Sequence, residues 1–255
     1  MEENKGYAAT LGTCSADPYW CSLATKYASF ASSHGVSHPS LPNYLAFDSG
    51  STQGQTTDCT SCGPFAAADL GGQLTAKGIP WKAYMESMPS ACYTGGGSGE
   101  YAKKHNPFLY YSDVLNNACA AHDVPYPGAS ALVSQLDSAG APDYVFITPN
   151  LLDDMHDGTV RQGDNWLKAN LAPIFASSWF TRYNSTVIVT MDEGDSGTTN
   201  QIPTVVISSH AQGKGGILTP VNHYGTLRAI EEAYGLPLLG GAQSASSGDI
   251  FRYFG

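Results

Sequence analysis

Two adjacent carboxylates, Asp192 and Glu193, follow an apolar run and precede Gly194. The run, residues 186–190, is rich in β-branched residues and predicts a buried strand. In open α/β sheets ligands bind beyond the carboxyl ends of the strands, so the pair would lie at such an edge. Paired carboxylate oxygens suit a hard or borderline divalent cation. Taken alone, however, such a pair is more often a solvated turn after a strand than a cation site.

A second polar segment, residues 149–158, follows the apolar run 144–148 and carries three aspartates around His156. If residues 144–148 form a strand, this segment reaches the same edge of the sheet. A histidine beside carboxylates suits proton transfer or the binding of an anion. A lone histidine is nevertheless more often a solvated loop residue.

The third element is residues 38–44, which read His-Pro-Ser-Leu-Pro-Asn-Tyr. Ser40 lies where a helix would begin, with Pro42 in the first turn, where proline is tolerated. The simplest interpretation makes Ser40 a helix N-cap, and spacing alone favours it. The functional interpretation places the Ser40 hydroxyl at the positive end of a helix, where a phosphate dianion is stabilised. Asn43 would then direct its amide to the same anion.

The elements that must position these residues predict an α/β fold. Strands are expected at 144–148, 186–190 and 203–208, with a helix over 163–177 between the first two. This βαβ spacing predicts a mostly parallel central sheet flanked by helices. Further helices are expected over 18–33 and 224–234, and loops over 48–60 and 94–99. No linker divides the chain, so residues 1–255 are interpreted as a single domain with a loop-rich first half.

The charge balance excludes most nucleic-acid binding. The formal net charge is −10, the pI is about 4.9, and only 13% of residues are charged. No cluster of lysine and arginine offsets the negative charge, so binding through counterion release is not expected. An anionic substrate would need positive charge from a metal ion or from protonated histidines.

The six cysteines, all in the first half, indicate an oxidising compartment. An even count suits three disulfides that pin the first half of the chain, and disulfides persist in secreted proteins. Cys59 and Cys62 form a C-x-x-C pair that would also suit zinc, but no second pair of matching spacing accompanies it. Local bridges are expected for Cys59 with Cys62 or Cys14 with Cys21. A further bridge between Cys92 and Cys119 would close the loop that carries His105.

Only composition and the cysteines bear on where the protein is found. No run of 18 apolar residues and no signal peptide occurs in the sequence. The low charge and the cysteines favour a secreted, extracellular protein without a transmembrane segment.

Several segments occur in an order that resembles a known family. They are Glu3-Asn4, residues 38–44, Lys-His-Asn-Pro-Phe at 104–108, Asp-Met-His-Asp at 154–157, Asp192-Glu193-Gly194, and His-Tyr-Gly-Thr-Leu-Arg at 223–228. Together they resemble the bacterial phosphoesterase family that includes secreted acid phosphatases and phospholipases C. That family is a distant relative of alkaline phosphatase. The resemblance covers nearly the whole chain, although each segment alone is weak.

The resemblance implies roles for nine residues. Ser40 matches the nucleophile and Asn43 an amide that contacts the phosphoryl group. Glu3 and Asn4 match one pair of metal ligands, and Asp192 and Glu193 match the other. The resemblance also matches three histidines to the active site, namely His105, His156 and His223. The family normally has an apolar strand just before its Glu-Asn pair, and the chain departs from that pattern because Glu3-Asn4 stands at its start.

These matches imply a mechanism. Phosphoryl transfer needs positioning and charge stabilisation. Ser40 would form a phosphoserine with the help of one divalent cation, for which oxygen ligands favour Mg²⁺, Ca²⁺ or Mn²⁺, with Zn²⁺ as an alternative. His156 would protonate the leaving alkoxide. Protonated histidines would give an acidic pH optimum.

The expected function is hydrolysis of a phosphomonoester, either a small molecule or a phosphoinositide, by a monomeric enzyme. A phospholipase C-type phosphodiesterase is the first alternative, with Phe108, Tyr110 and Tyr111 as candidates for the extra apolar pocket. These aromatics are as well explained as core residues. A non-catalytic surface- or carbohydrate-binding protein is the second alternative, which the complete set of polar residues disfavours.

Overall fold

Two larger β-sheets, a small two-stranded sheet and the surrounding helices make up the described part of the fold. The computed structural model describes residues 1–195, 199–210 and 216–255. The strands are β1 (Ala28–His34), β2 (Trp81–Met85), β3 (Gly97–Ser98), β4 (Tyr101–Ala102), β5 (Asp123–Pro125), β6 (Tyr144–Thr148), β7 (Thr186–Thr190), β8 (Gln201–Ser208) and β9 (Val221–Asn222). The predicted strands at 144–148, 186–190 and 203–208 are therefore confirmed.

Strand direction differs between the two larger sheets. The sheet β5-β2-β6 is parallel throughout. In the sheet β7-β8-β1-β9, β8 runs antiparallel to both of its neighbours, whereas β1 and β9 are parallel. The prediction of an α/β fold with parallel strands is confirmed, with β8 as the antiparallel exception. β3 and β4 form a small separate hairpin.

The start of the chain joins the two sheets at one edge. The Met1 amino group donates to the Ile147 carbonyl oxygen in β6 at 2.6 Å, and the Glu2 amide donates to the Thr190 carbonyl oxygen in β7 at 2.8 Å. Glu2 also pairs in parallel with Met191. Elsewhere β6 and β7 are separated by a groove with a cavity volume of ≈ 990 Å³. Residues 1–3 therefore hold the carboxyl ends of β6 and β7 together.

The helices are α1 (Pro18–Lys26), α2 (Ser40–Ser49), α3 (Leu70–Lys77), α4 (Ser112–Asn116), α5 (Cys119–His122), α6 (Ala129–Leu136), α7 (Val160–Ala176), α8 (Ser178–Arg182) and α9 (His223–Tyr234). The predicted helices at 163–177 and 224–234 correspond to α7 and α9. Helix α9 ends at Gly235, whose φ of 60° lies in the left-handed region that favours glycine. Among the described helices, none has the length and apolar character needed to cross a bilayer.

The helix predicted over residues 18–33 is wrong in its second half. Helix α1 ends at Lys26, and residues 28–34 form strand β1. Ala28 and Ser29 pair with Val206 and Val205 of β8, and Phe30 is fully buried. Pairing with a distant strand has overridden the local helical pattern.

Helix α2 is the most deeply placed element near the carboxyl edge. All ten of its residues, Ser40–Ser49, are buried. Ser40 is its first helical residue, whereas Pro39 occupies the N-cap position and no side chain caps the helix. The N-cap interpretation of Ser40 is therefore wrong. The loop predicted over 48–60 begins two residues later than expected, because Asp48 and Ser49 complete the helix.

Two disulfides pin the first half of the chain. Cys14 bonds to Cys21 and Cys92 to Cys119, which confirms two of the expected bridges. Cys59 and Cys62 are both unpaired, so the expected third bridge is absent from this structure. The Cys59 sulfur instead accepts a hydrogen bond from the Cys62 amide at 2.9 Å.

Candidate active site

The Ser40 hydroxyl lies among three side-chain oxygens at the first turn of α2. Its Oγ is 3.1 Å from Glu3 Oε2, 3.4 Å from Glu193 Oε1 and 3.5 Å from Asn4 Oδ1. A hydroxyl has one proton, so it can satisfy only one of these acceptors at a time. The predicted nucleophile and three of the four predicted metal ligands therefore converge, with one hydroxyl proton to share among three oxygens.

Asp192, the fourth predicted metal ligand, lies beside the other three. Its Oδ1 accepts a hydrogen bond from the Asn4 amide at 3.2 Å, and its Oδ2 is buried without a hydrogen-bond partner among the described residues. The carbonyl oxygen of Asp192 accepts from His223 Nε2. His223 thus lies behind the predicted ligand pair and contacts its backbone.

Glu3 is fully buried and connects Ser40 to a second group. The Tyr44 hydroxyl donates to Glu3 Oε1, while Glu3 Oε2 faces both Ser40 and His105. His105 Nε2 lies 3.3 Å from Glu3 Oε2, and His105 Nδ1 lies 3.3 Å from Asp154 Oδ2. The His105 ring stacks on Tyr44 with 5.4 Å between the ring centroids. His105 is therefore held between two buried carboxylates.

Burial dominates the electrostatics of these groups. It raises the pKa of Glu3 well above its usual range, with help from the charges of Asp192 and Asp154. It also raises the pKa of Asp154 to about 9 and those of Asp192 and Glu193 to about 7. In each case burial disfavours the charged form of the carboxylate. A bound divalent cation would reverse this effect by stabilising the charged form.

Burial has the opposite effect on the histidines. It lowers the pKa of His105 well below the usual value, and the nearby Lys104 lowers it further. Burial also lowers the pKa of His223 to about 4. Both side chains are therefore neutral at mildly acidic pH. The expectation that protonated histidines supply the positive charge fails for these two residues.

The donor set fits a metal ion. Three buried atoms of the site have no hydrogen-bond partner among the described residues, namely Asp192 Oδ2, Asp154 Oδ2 and His105 Nε2. One ligand atom each from Glu3, His105 and Asp154 lies within 4.8 Å of the other two. The oxygens around Ser40 form a neighbouring set that shares Glu3. Unpartnered buried carboxylates of this kind are typical of sites that bind cations.

Asn43 is placed differently from the expectation. Its Oδ1 accepts from the amides of Val36 and Ser37 at 2.8 and 3.0 Å. Its Nδ2 donates to the carbonyl oxygens of Ser37 and Pro39 at 2.9 and 3.1 Å. The amide is thus used to shape the loop that precedes Ser40.

His156 lies at the entrance of the site. Its ring centroid is 5.5 Å from that of His105. His156 Nδ1 lies 2.7 Å from Asp157 Oδ1, and His156 Nε2 lies 3.1 Å from Lys104 Nζ. The structure therefore brings two of the three predicted histidines, His105 and His156, together beside the Ser40 cluster.

Five residues of the site had no role in the sequence prediction. They are His38, which contacts Glu193 Oε2, together with Tyr44, Asp58, Lys104 and Asp154. Lys104 and Asp154 belong to segments that carried the family resemblance. Tyr44 lies one helical turn after Ser40, which is a usable signal. Nothing in the sequence around Asp58 indicates its contact with the site.

Comparison with known proteins decides the family. The model of the Phosphoesterase family matches residues 1–237. The chain belongs to the phosphoesterase family. This membership confirms the predicted resemblance and makes the chain a hydrolase of phosphoric esters.

Curated relatives of this phosphoesterase are phosphatases. It is 36% identical over 245 residues to a phosphatidylinositol-3-phosphatase of Mycobacterium tuberculosis, which covers 96% of this chain and 78% of the relative. It is 31% identical to a phosphate-repressible acid phosphatase of Penicillium chrysogenum over 80% of this chain. The aligned part spans about half, 51%, of that fungal relative.

Solved structures agree on the fold. A protein in the alkaline phosphatase superfamily from Vibrio parahaemolyticus matches with a TM-score of 0.66 at 12% identity, covering 98% of this chain and 67% of that one. A lipoteichoic acid synthase from Listeria monocytogenes matches with a TM-score of 0.64 at 10% identity, covering 93% and 71%. The alkaline-phosphatase-like fold predicted from the sequence is confirmed.

Proposed function

We propose that this phosphoesterase is a metal-dependent phosphomonoesterase that forms a phosphoserine on Ser40. The observation that carries the proposal is the position of the Ser40 hydroxyl. It lies at the first residue of α2, within 3.5 Å of oxygens from Glu3, Asn4 and Glu193. The start of a helix stabilises negative charge, and the surrounding oxygens suit a cation.

The proposed ligands of the cation are Glu3, Asn4, Asp192 and Glu193. When bound, a divalent cation would lower the pKa of the Ser40 hydroxyl and neutralise charge on the phosphoryl group. Oxygen ligands favour Mg²⁺, Ca²⁺ or Mn²⁺. The nearby His105 nitrogen keeps Zn²⁺ as an alternative.

The chain's own residues account for the remaining steps. Ser40 Oγ attacks phosphorus, the bond to the ester oxygen breaks, and the proton of Ser40 passes to Glu3 or Glu193. His156 is the proposed donor of a proton to the leaving oxygen, since it lies at the entrance with one face near His105. Water then attacks the phosphoserine and releases phosphate.

The diesterase alternative loses its structural support. Phe108, Tyr110 and Tyr111 are all fully buried in one hydrophobic core. Buried in this way, the three aromatic side chains do not line an open pocket for the second substituent of a diester. A monoester dianion is therefore the better proposed substrate. A phosphoinositide is one candidate, because the M. tuberculosis relative is named a phosphatidylinositol-3-phosphatase.

The setting proposed for the enzyme is extracellular. The two disulfides support an oxidising compartment. We propose that residues 1–255 act as one catalytic domain in a monomer.

The test is hydrolysis of p-nitrophenyl phosphate with and without a chelator, beside bis-p-nitrophenyl phosphate on the same preparation. The expected result is a larger kcat/KM for the monoester and loss of activity on chelation, restored by one of the proposed cations. A larger kcat/KM for the diester would replace the monoesterase with the phosphodiesterase. Activity unchanged by exhaustive chelation would reject metal dependence.

A further inference from the structure

Lys104 lies at the entrance of the site with its ammonium group held on two sides. Its Nζ donates to Asp58 Oδ2 at 2.9 Å and lies 3.1 Å from His156 Nε2. The side chain is 18% exposed, so it is partly buried and still reaches solvent. These two contacts use two of the three ammonium protons, so one remains for a further acceptor.

Asp58 ties this ammonium to the start of α2. The second oxygen of the same carboxylate, Oδ1, accepts from the Leu41 amide at 2.9 Å. Leu41 directly follows Ser40, so a single carboxylate connects the Lys104 ammonium with the backbone beside the nucleophile. The ammonium is thereby fixed relative to the Ser40 hydroxyl.

Lys104 supplies positive charge to a site that is otherwise lined by acidic groups. Four acidic side chains, Glu3, Asp154, Asp192 and Glu193, are buried around the site, so an incoming phosphate meets carboxylic groups on several sides. Burial lowers the pKa of Lys104, but the hydrogen bond and charge of Asp58 outweigh it, so the pKa is raised and the ammonium persists. A monoester dianion entering this site requires fixed positive charge beyond that of one cation.

The contact between Lys104 and His156 also determines the proton on the imidazole. An ammonium can only donate, so His156 Nε2 must be the acceptor. While this contact holds, the ring proton lies on Nδ1, which faces Asp157 Oδ1 at 2.7 Å. His156 can therefore donate to a leaving oxygen only after the Lys104 ammonium has turned to the phosphoryl group and Nε2 has taken up a proton.

We propose that Lys104 is a phosphate-binding residue of the site, whose ammonium donates to a non-bridging oxygen of the phosphoryl group while Asp58 acts as its positioning residue. This inference rests on the proposed function, because it assigns a further group to the same phosphoryl site. It adds a lysine and an aspartate to the residues expected from the sequence.

The experiment compares Lys104→Met with Lys103→Met. Lys103 is the matched control: it has the same charge, but its ammonium donates to the Thr60 carbonyl oxygen and lies over the Tyr110 ring. Binding of inorganic phosphate is measured by calorimetry, and kcat/KM is measured with p-nitrophenyl phosphate. Hydrogen bonds to charged groups are worth about 1.5–3 kcal/mol, so Lys104→Met should weaken phosphate binding about 10- to 150-fold. Lys103→Met should stay within about twofold, and Lys104→Arg should recover part of the loss.

The Asp58→Asn variant tests the positioning role. It should weaken phosphate binding in the wild-type background and have little further effect when combined with Lys104→Met. Equal losses in both backgrounds would show that Asp58 does not act through Lys104.

The outcomes separate the two proposals. Phosphate binding by Lys104→Met within twofold of wild type, in a folded protein, would overturn the role of Lys104. Equal weakening by Lys103→Met and Lys104→Met would also overturn it, since the effect would then reflect net charge. A wild-type protein that binds phosphate but hydrolyses no monoester would refute the proposed function, and the calorimetric comparison would still decide on Lys104.

Discussion

Helix α2 has buried carboxylates near both of its ends, and the two clusters differ in what faces them. At its start, Glu3 and Glu193 face the Ser40 hydroxyl, with Tyr44, His38 and His105 around them. At its end, Asp48 is fully buried and neither of its carboxylate oxygens has a hydrogen-bond partner among the described residues.

The cluster at the end of α2 brings three aspartates together, Asp48, Asp69 and Asp113. Burial raises the pKa of Asp48 well above its usual range, and the charge of Asp113 adds to the effect. Burial also raises the pKa of Asp69 to about 10, with contributions from Asp48 and Asp113. With a pKa of about 10, Asp69 holds its proton at neutral pH. Burial of carboxylates alone therefore does not identify a catalytic site; the surrounding hydroxyl, imidazole and ammonium groups do.

The largest expected effect comes from removing the nucleophile. Ser40→Ala should lower kcat by at least about a thousandfold, as for other catalytic groups that act as a unit. Ser49→Ala is the control in the same helix, because Ser49 Oγ bonds to the Leu45 carbonyl oxygen at the far end. Both variants should melt near the wild-type temperature. An Ser40→Ala enzyme that keeps more than a tenth of wild-type activity would rule out the phosphoserine.

The second-largest expected effect comes from removing a proposed metal ligand. Asp192→Asn is expected to remove bound metal and activity together, because it neutralises a proposed ligand that has no other partner at Oδ2. Asp154→Asn is the matched change in the neighbouring group with Glu3 and His105. Elemental analysis of both variants decides between the groups. Metal retained in Asp192→Asn and lost from Asp154→Asn would move the cation to the second group.

The far cluster should control stability rather than activity. A carboxylate whose pKa is higher in the folded than in the unfolded protein binds more protons when the protein is folded. The free energy of unfolding therefore falls as the pH rises above the pKa of the unfolded state. Asp48→Asn should therefore stabilise the protein at pH 8, and stabilise it less at pH 5. Unfolding in urea at both pH values, with kcat as control, measures this. Stabilisation that is equal at both pH values would show that Asp48 does not titrate between them.

The smallest effect concerns the cysteines beside the first cluster. Denatured but unreduced protein should show two reactive thiols, Cys59 and Cys62, with Ellman's reagent. Their loop contacts the start of α2 through the neighbouring Asp58, whose carboxylate accepts from the Leu41 amide. Cys59→Ser should change kcat less than about twofold, as surface substitutions usually do. Absence of reactive thiols would instead support a third disulfide.

Much of the candidate site could be predicted because its parts are local in the chain. Asp192 and Glu193 follow a β-branched run directly, and Ser40 stands where a helix starts in both sequence and structure. Patterns of this kind depend on residues within one or two turns or one strand, so a sequence displays them. The family resemblance added Glu3 and Asn4, which no local pattern would have identified.

The rest depended on contacts between residues far apart in the chain. Residues 28–34 became a strand because β8 lies beside them, although their local pattern favoured a helix. Asn43 hydrogen-bonds the loop at 36–39, and Asp58 accepts a hydrogen bond from Lys104, 46 residues away in the chain. The sequence by itself determined the chemical groups and the short elements that carry them. Only the tertiary structure decided which groups are buried together and which charges face one another, because burial and long-range pairing depend on the whole chain.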